Sequence, residues 1–144
     1  MHIMVHGASG RMGQLICAAA GNEVVARISP DYPANENGCW QTLSAYQGPA
    51  DCVIDFSHHS ATGTLLEYCL ARRLPLLIAT TGQTEQERHQ IEAAAAVIPV
   101  FFASNYSLGI AVLTDLARRA AAMFPDADIE IVEMHHNQKL DVPS

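Results

Sequence analysis

The sequence predicts an α/β fold, a doubly wound parallel sheet flanked by helices, on three observations. Short apolar runs alternate with longer segments of helical period. The short runs carry few alternating polar residues, which is the pattern of strands covered on both faces. The first of these runs also passes through a glycine-rich turn straight into the first helical segment.

Taken in order, Ile3 to His6 reads as a first strand and Met12 to Ala20 as a helix with Leu15, Ile16 and Ala19 on one face. Val24 to Ile28 is a second strand, and Ser29 to Gly38, with Pro30, Pro33, Asn35 and Asn37, is a long loop. Strands follow over Cys52 to Phe56, Leu76 to Ala79 and Val100 to Ala103, separated by helices near Ser60 to Ala71 and Glu85 to Ala96. Thr84 with Glu87 three residues on forms a capping box for the second of these helices. Pro75 and Pro99 stop the helices that precede them. Ser107 opens a longer helix reaching about Met123, with Leu108, Val112, Leu116 and Ala120 along one face. Ile129 to Met134 reads as a sixth strand leading into His135 and His136, although Glu133 falls on the isoleucine face.

Composition bounds the function. With 144 residues, 49% of them hydrophobic, the chain can bury one substantial core. Eight basic against 15 acidic residues give a net charge of −7, which repels phosphate backbones and argues against nucleic acid as a partner. The longest apolar run, Ala93 to Ala103, is about half of what a membrane-crossing helix needs and contains Pro99. The opening Met-His-Ile-Met-Val lacks the pattern of a secretory leader, so a soluble, cytoplasmic protein is expected. Cys17, Cys39, Cys52 and Cys69 are widely spaced, which suits reduced thiols and neither a disulfide framework nor a metal site.

The chemistry starts at the turn Gly7-Ala8-Ser9-Gly10-Arg11-Met12-Gly13. Between a first strand and a first helix, such a turn aims backbone N–H groups and the positive helix end at a dinucleotide pyrophosphate. Its spacing is Gly-x-x-Gly-x-x-Gly, with Ser9 where the commoner Rossmann fingerprint has its second glycine. After the second strand, Asp31 could hold an adenosine ribose, whereas Ser29 and Arg11 could tolerate a 2′-phosphate, so either NADH or NADPH is expected.

Five segments together resemble the 4-hydroxy-tetrahydrodipicolinate reductase (dihydrodipicolinate reductase) family: the glycine turn, Val53-Ile54-Asp55-Phe56-Ser57, Ala79-Thr80-Thr81-Gly82, Ser104-Asn105-Tyr106-Ser107-Leu108-Gly109, and Glu133 to Ser144. The last is similar to that family's His-His-x-x-Lys-x-Asp-x-Pro-Ser signature. Val142, His59 and Ala79 depart from residues usual there. The resemblance implies a Rossmann-like cofactor domain over residues 1–128, followed at 129–144 by the start of the substrate segment. It implies NAD(P)H-dependent reduction of a cyclic dicarboxylate in lysine and diaminopimelate biosynthesis.

By the same resemblance, Gly7, Ala8, Ser9, Gly10, Arg11, Met12, Ala79, Thr80, Thr81, Ala103, Ser104, Asn105 and Tyr106 would contact the cofactor. His135 and Lys139 would be catalytic, and His136, Thr81 and Ser144 would contact the substrate's carboxylates. A His and a Lys four positions apart suit proton delivery, since imidazole titrates near neutrality and an ammonium attracts carboxylates. The adjacent histidines would point to opposite faces of a strand and so do not suit a metal. The family is homotetrameric and continues into a further mixed-sheet domain. The chain is therefore expected to be a fragment that binds cofactor with little turnover; its own assembly state is open.

Two other readings bear on the same turn. An epimerase of the short-chain group would need Tyr-x-x-x-Lys, and no tyrosine here has a lysine four residues on, Lys139 being the only lysine. A non-catalytic NAD(P)-binding or sensing domain would keep the turn and lack the chemistry.

Overall fold

The structure, a computed structural model, describes residues 1–132. The described residues fall into two compact units that divide between Ala103 and Ser104. In the first unit, β1 (Ile3–His6), β2 (Val24–Ile28), β3 (Cys39–Trp40), β4 (Cys52–Asp55), β5 (Leu76–Ile78) and β6 (Val100–Phe102) form one sheet in the order β3-β2-β1-β4-β5-β6. Every neighbouring pair is parallel. The order reverses between β1 and β4, the place where open α/β sheets form a crevice beyond the carboxyl ends of their strands.

Helices cover both faces, as the fold class requires. α1 (Arg11–Ala20) packs Cys17, with Ile16 and Ala20, on Ile3 and Val5 of β1. The opposite face is the larger core. There Leu65, Leu66 and Cys69 of α2 (Thr62–Arg72) and Ile91 and Ala94 of α3 (Glu85–Ala95) meet Met4, Ile28, Val53 and Ile78. The alternation along β1 therefore sends Ile3 and Val5 one way and Met4 and His6 the other. Thr84 and Glu87 close the capping box on α3: the Thr84 hydroxyl accepts from the Glu87 amide at 3.2 Å, and the Thr84 amide donates to Glu87 Oε2 at 2.7 Å.

Three features differ from the sequence reading. β3 is a two-residue strand just past the long loop, held to β2 by Arg27 N–H to Gly38 O and Ser29 N–H to Trp40 O, both 2.9 Å. Two residues are too few to show a period. The phenylalanine in the middle of β6, Phe101, is 58% exposed, whereas its neighbours Val100 and Phe102 pack against the larger core from the other face of the sheet. Residues 129–132 do not form the start of a sixth core strand: Ile129 and Ile131 are exposed and no described strand pairs with them. Alternation signals strand propensity, but a strand exists only where a neighbour supplies its hydrogen bonds. Residues 133 and 134 of that predicted strand lie outside the described residues.

The second unit contains α4 (Leu108–Met123), the helix predicted after Ser107. The Ser107 hydroxyl accepts from the Ile110 amide at 3.4 Å, a side-chain cap of the expected kind. Among the described residues no helix is long and apolar enough to cross a membrane.

Candidate functional site

A cleft of about 620 Å³ opens at the carboxyl ends of β1, β2 and β4. Its walls are His6, Gly7, Ser9 and Gly10 on one side, Ser29 to Asp31 and Gln41 to Ser44 on another, and Phe56 to His58, Ser60, Ala61 and Thr64 on the third.

The glycine turn is pinned to β2, since the amides of Gly7 and Ala8 both donate to Ile28 O, at 2.9 and 3.1 Å. Two of its glycines are required by space. Gly7 has φ +76°, and a Cβ there would stand 2.5 Å from the Phe56 carbonyl, so no side chain fits between β1 and the turn after β4. A Cβ on Gly13 would stand 2.2 Å from Gly7 O, so this residue lets α1 start against the turn. Gly10 is the N-cap of α1 and contributes no side-chain bond, and the first turn holds no acidic residue. The amides at this helix end remain available to an anion, which is what the diphosphate of a dinucleotide requires.

Ser9, which replaces the usual second glycine, has a role of its own. Its hydroxyl lies 2.7 Å from the Ser29 hydroxyl and donates to Asp31 Oδ2 at 2.7 Å, while the Asp31 amide donates to Ser29 Oγ at 3.3 Å. This ring fixes an exposed carboxylate at the end of β2, on the wall of the cleft.

Beneath the cleft lies a buried polar network. His6 Nδ1 and Asp55 Oδ1 are 2.8 Å apart, and Asp55 Oδ1 also accepts from the Ser57 hydroxyl at 2.6 Å. The Thr80 hydroxyl donates to Asp55 Oδ2 at 3.4 Å and accepts from Gln83 Nε2 at 2.6 Å. Next to it, His59 Nδ1 stands 3.1 Å from Glu87 Oε2. The Thr84 amide above all holds the Glu87 carboxyl below its ordinary range against the opposing effect of burial, and the His59 ring adds to the lowering.

Of the expected cofactor residues, Gly7, Ser9 and Gly10 come together in the cleft wall. The Ala8 side chain is buried under α1, and its amide is bonded to Ile28 O. Arg11 and Met12 are exposed in the first turn of α1. Ala79, Thr80 and Thr81 follow β5, with the Thr80 side chain turned into the network and Ala79 N–H bonded to Asp55 O at 2.9 Å. Ala103 closes the first unit, whereas Ser104, Asn105 and Tyr106 belong to the second, where Asn105 Oδ1 accepts from the Ser107 amide at 2.8 Å. His135, His136, Lys139 and Ser144 lie outside the described residues.

Sequence reasoning missed His6 and the Gln41 to Ser44 wall. A histidine closing a strand just ahead of the glycine turn was the available signal for the first. Nothing local marks the second, which takes its place through the β2–β3 pairing. Cys17, Cys39, Cys52 and Cys69 are all free. Among the described residues no cluster of three or more His, Cys, Asp or Glu could hold a metal.

Comparison with known proteins agrees with this architecture. Residues 1–106 match the family described as dihydrodipicolinate reductase, N-terminus, and residues 109–144 match dihydrodipicolinate reductase, C-terminus. The chain is 46% identical over 143 residues to 4-hydroxy-tetrahydrodipicolinate reductase of Akkermansia muciniphila, an alignment covering 99% of this chain and 56% of that protein. The same enzyme of Caldanaerobacter subterraneus is 39% identical over 148 residues, covering 100% of this chain and 59% of that protein. A solved structure, dipicolinate-bound dihydrodipicolinate reductase from Paenisporosarcina sp. TG-14, superposes with a TM-score of 0.76 at 28% identity, over 100% of this chain and 61% of that one. The chain thus spans somewhat over half the length of these relatives. On two family matches that together take in nearly every residue, the chain belongs to the dihydrodipicolinate reductase family.

Proposed function

We propose that this chain supplies the dinucleotide-binding part of an enzyme that reduces 4-hydroxy-tetrahydrodipicolinate to tetrahydrodipicolinate with a nicotinamide dinucleotide. The observation that carries the reading is the glycine turn, whose crowded Gly7 and Gly13 leave the uncapped start of α1 facing the cleft at the β1/β4 switch point. When bound, the dinucleotide supplies the hydride. Gly7, Ser9, Gly10 and the first amides of α1, with Arg11 and Met12, hold its diphosphate, and Ala79 to Thr81 with Ala103 to Tyr106 serve the nicotinamide half.

His135 and Lys139 move the proton that completes the reduction, and His136, Thr81 and Ser144 hold the substrate's carboxylates. A dicarboxylate substrate fits the name of the solved relative, which holds dipicolinate. The four free thiols suit a reducing, cytoplasmic setting.

Of the two dinucleotides, NADH is the better fit. The Asp31 carboxylate, locked by Ser9 and Ser29, is an acceptor for a ribose 2′-hydroxyl and repels a 2′-phosphate. Fluorescence titration with NADH and NADPH tests this directly. Binding of NADH in preference to NADPH is expected, and binding of neither overturns the reading. A reductase assay with freshly prepared substrate, on a chain carrying His135→Ala beside the native one, tests the proton-transfer assignment.

A further inference from the structure

We propose that His6 contacts the bound dinucleotide through Nε2, with Asp55 fixing its ring, and that binding draws a proton onto that nitrogen. The inference rests on the dinucleotide reading above.

His6 closes β1 immediately before Gly7, and its register partner across the sheet is Asp55, at the end of β4. Both point to the face of the larger core, where Met4 and Val53 precede them by two residues. An apolar pair would be the ordinary filling at that depth. Instead the site holds an imidazole 10% exposed against a carboxylate 3% exposed, at 2.8 Å.

The hydrogen bonds fix the tautomer. Asp55 can only accept, and it takes the Ser57 amide at 3.2 Å, the Ser57 hydroxyl at 2.6 Å and the Thr80 hydroxyl at 3.4 Å. The hydrogen between His6 and Asp55 therefore sits on Nδ1, and Nε2 is the other, uncommitted edge of the ring. Among the described residues no buried side-chain nitrogen or oxygen lacks a partner, and Nε2 makes no hydrogen bond to them. With His6 lining the cleft beside Gly7, Ser9 and Gly10, the accessible edge of the imidazole is the Nε2 edge, next to where the diphosphate lies.

Neutral, that nitrogen presents a lone pair to an anion. Protonated, it presents a charged donor, with the Asp55 carboxylate on the far side of the ring completing an alternation of charge. The proton comes from solvent, and no bond of the ligand is made or broken. Other titratable groups facing this pair or sharing the cleft are Asp55 on β4, His58 after β4, Asp31 after β2 and Cys69 on α2. Burial first, and Asp55 next, push the Cys69 thiol up to about 12, so it stays protonated throughout.

Calorimetric titration with NADH near neutral pH, in buffers of differing ionisation enthalpy, counts the protons taken up. The native chain is expected to take up a proton. His6→Asn keeps a side-chain amide to donate to Asp55 but cannot titrate; it is expected to lose the uptake and about tenfold in affinity with its melting temperature preserved. Asp55→Asn, which releases the ring, is expected to reduce the uptake without abolishing it. Uptake unchanged in His6→Asn overturns the proposal. Should that variant not fold, ¹⁵N spectra of the native chain decide: movement of the His6 Nε2 resonance toward imidazolium values on adding NADH supports the proposal, and a stationary resonance overturns it. Native binding without proton uptake overturns this inference alone, whereas native binding of neither dinucleotide overturns the parent reading and this one with it.

Discussion

Replacing Asp31 with Asn should abolish discrimination between the two nicotinamide dinucleotides. The carboxylate is held at the cleft wall by the Ser9 hydroxyl at 2.7 Å, a distance at which the substituted amide oxygen can still accept. The variant therefore keeps its shape and loses its charge. A 2′-phosphate brought within about 4 Å of a carboxylate is opposed by about 4 kcal/mol at an effective dielectric constant near 20. Asp31 is exposed, and screening by solvent and salt cuts that to ~2 kcal/mol, or about thirtyfold in affinity. Fluorescence titrations of the native chain should thus favour NADH by about that factor, and those of Asp31→Asn should bring the two constants within about threefold. Raising the ionic strength should shrink the native preference and leave the variant's alone. A native preference for NADPH, or a ratio that the substitution does not move, would refute the reasoning.

Other perturbations report on the frame. Gly13→Ala puts a methyl 2.2 Å from Gly7 O and 2.7 Å from Ala8 Cα, so α1 must shift; a loss of about 2 kcal/mol and a fall of roughly 6 °C in melting temperature should accompany weakened NADH binding. Thr84→Ala removes the hydroxyl half of the capping box and should cost about 1 kcal/mol in urea unfolding, with dinucleotide affinity unchanged. The Glu87 carboxyl titrates below its ordinary range, so its charge stabilises the fold above the unfolded carboxylate's pKa, and that contribution is lost as pH falls through the lower folded value. The stability gap between the native chain and Glu87→Gln, followed by circular dichroism, should therefore be full at neutrality and close in acid. Alkylation at mildly alkaline pH should modify the half-buried Cys39 and Cys52 before Cys69, which is fully buried with its thiol near 12 and should react only on unfolding.

Much of the sheet was legible because its strands announce themselves locally. Val24–Ile28 is rich in β-branched residues between a helix end and a proline loop, and Thr84 with Glu87 marks a helix start to the residue. What stayed hidden depends on partners distant in the chain. β3 exists because Gly38 O and Trp40 O meet the amides of Arg27 and Ser29, and residues 129–132 carry a strand's alternation with no described neighbour to pair with. The candidate site divides the same way. The turn from Gly7 to Gly13 is contiguous and could be read directly. His6 acquires meaning only when β1 and β4 are registered so that Asp55, 49 positions further along the chain, faces it.

The walls of the cleft come from four stretches, near residues 6–10, 29–31, 41–44 and 56–64, that meet only once the β1, β2 and β4 ladders are in register. An unfolded chain accordingly has no partial site to offer, and whatever occupies the cleft binds the native state alone. Its free energy of association adds to conformational stability by mass action, about 2.7 kcal/mol at a hundredfold excess over the dissociation constant. The abundance of the occupying ligand in its surroundings would thereby set how long a polypeptide of this length survives proteolysis, making the small molecule a folding reagent as well as a reactant.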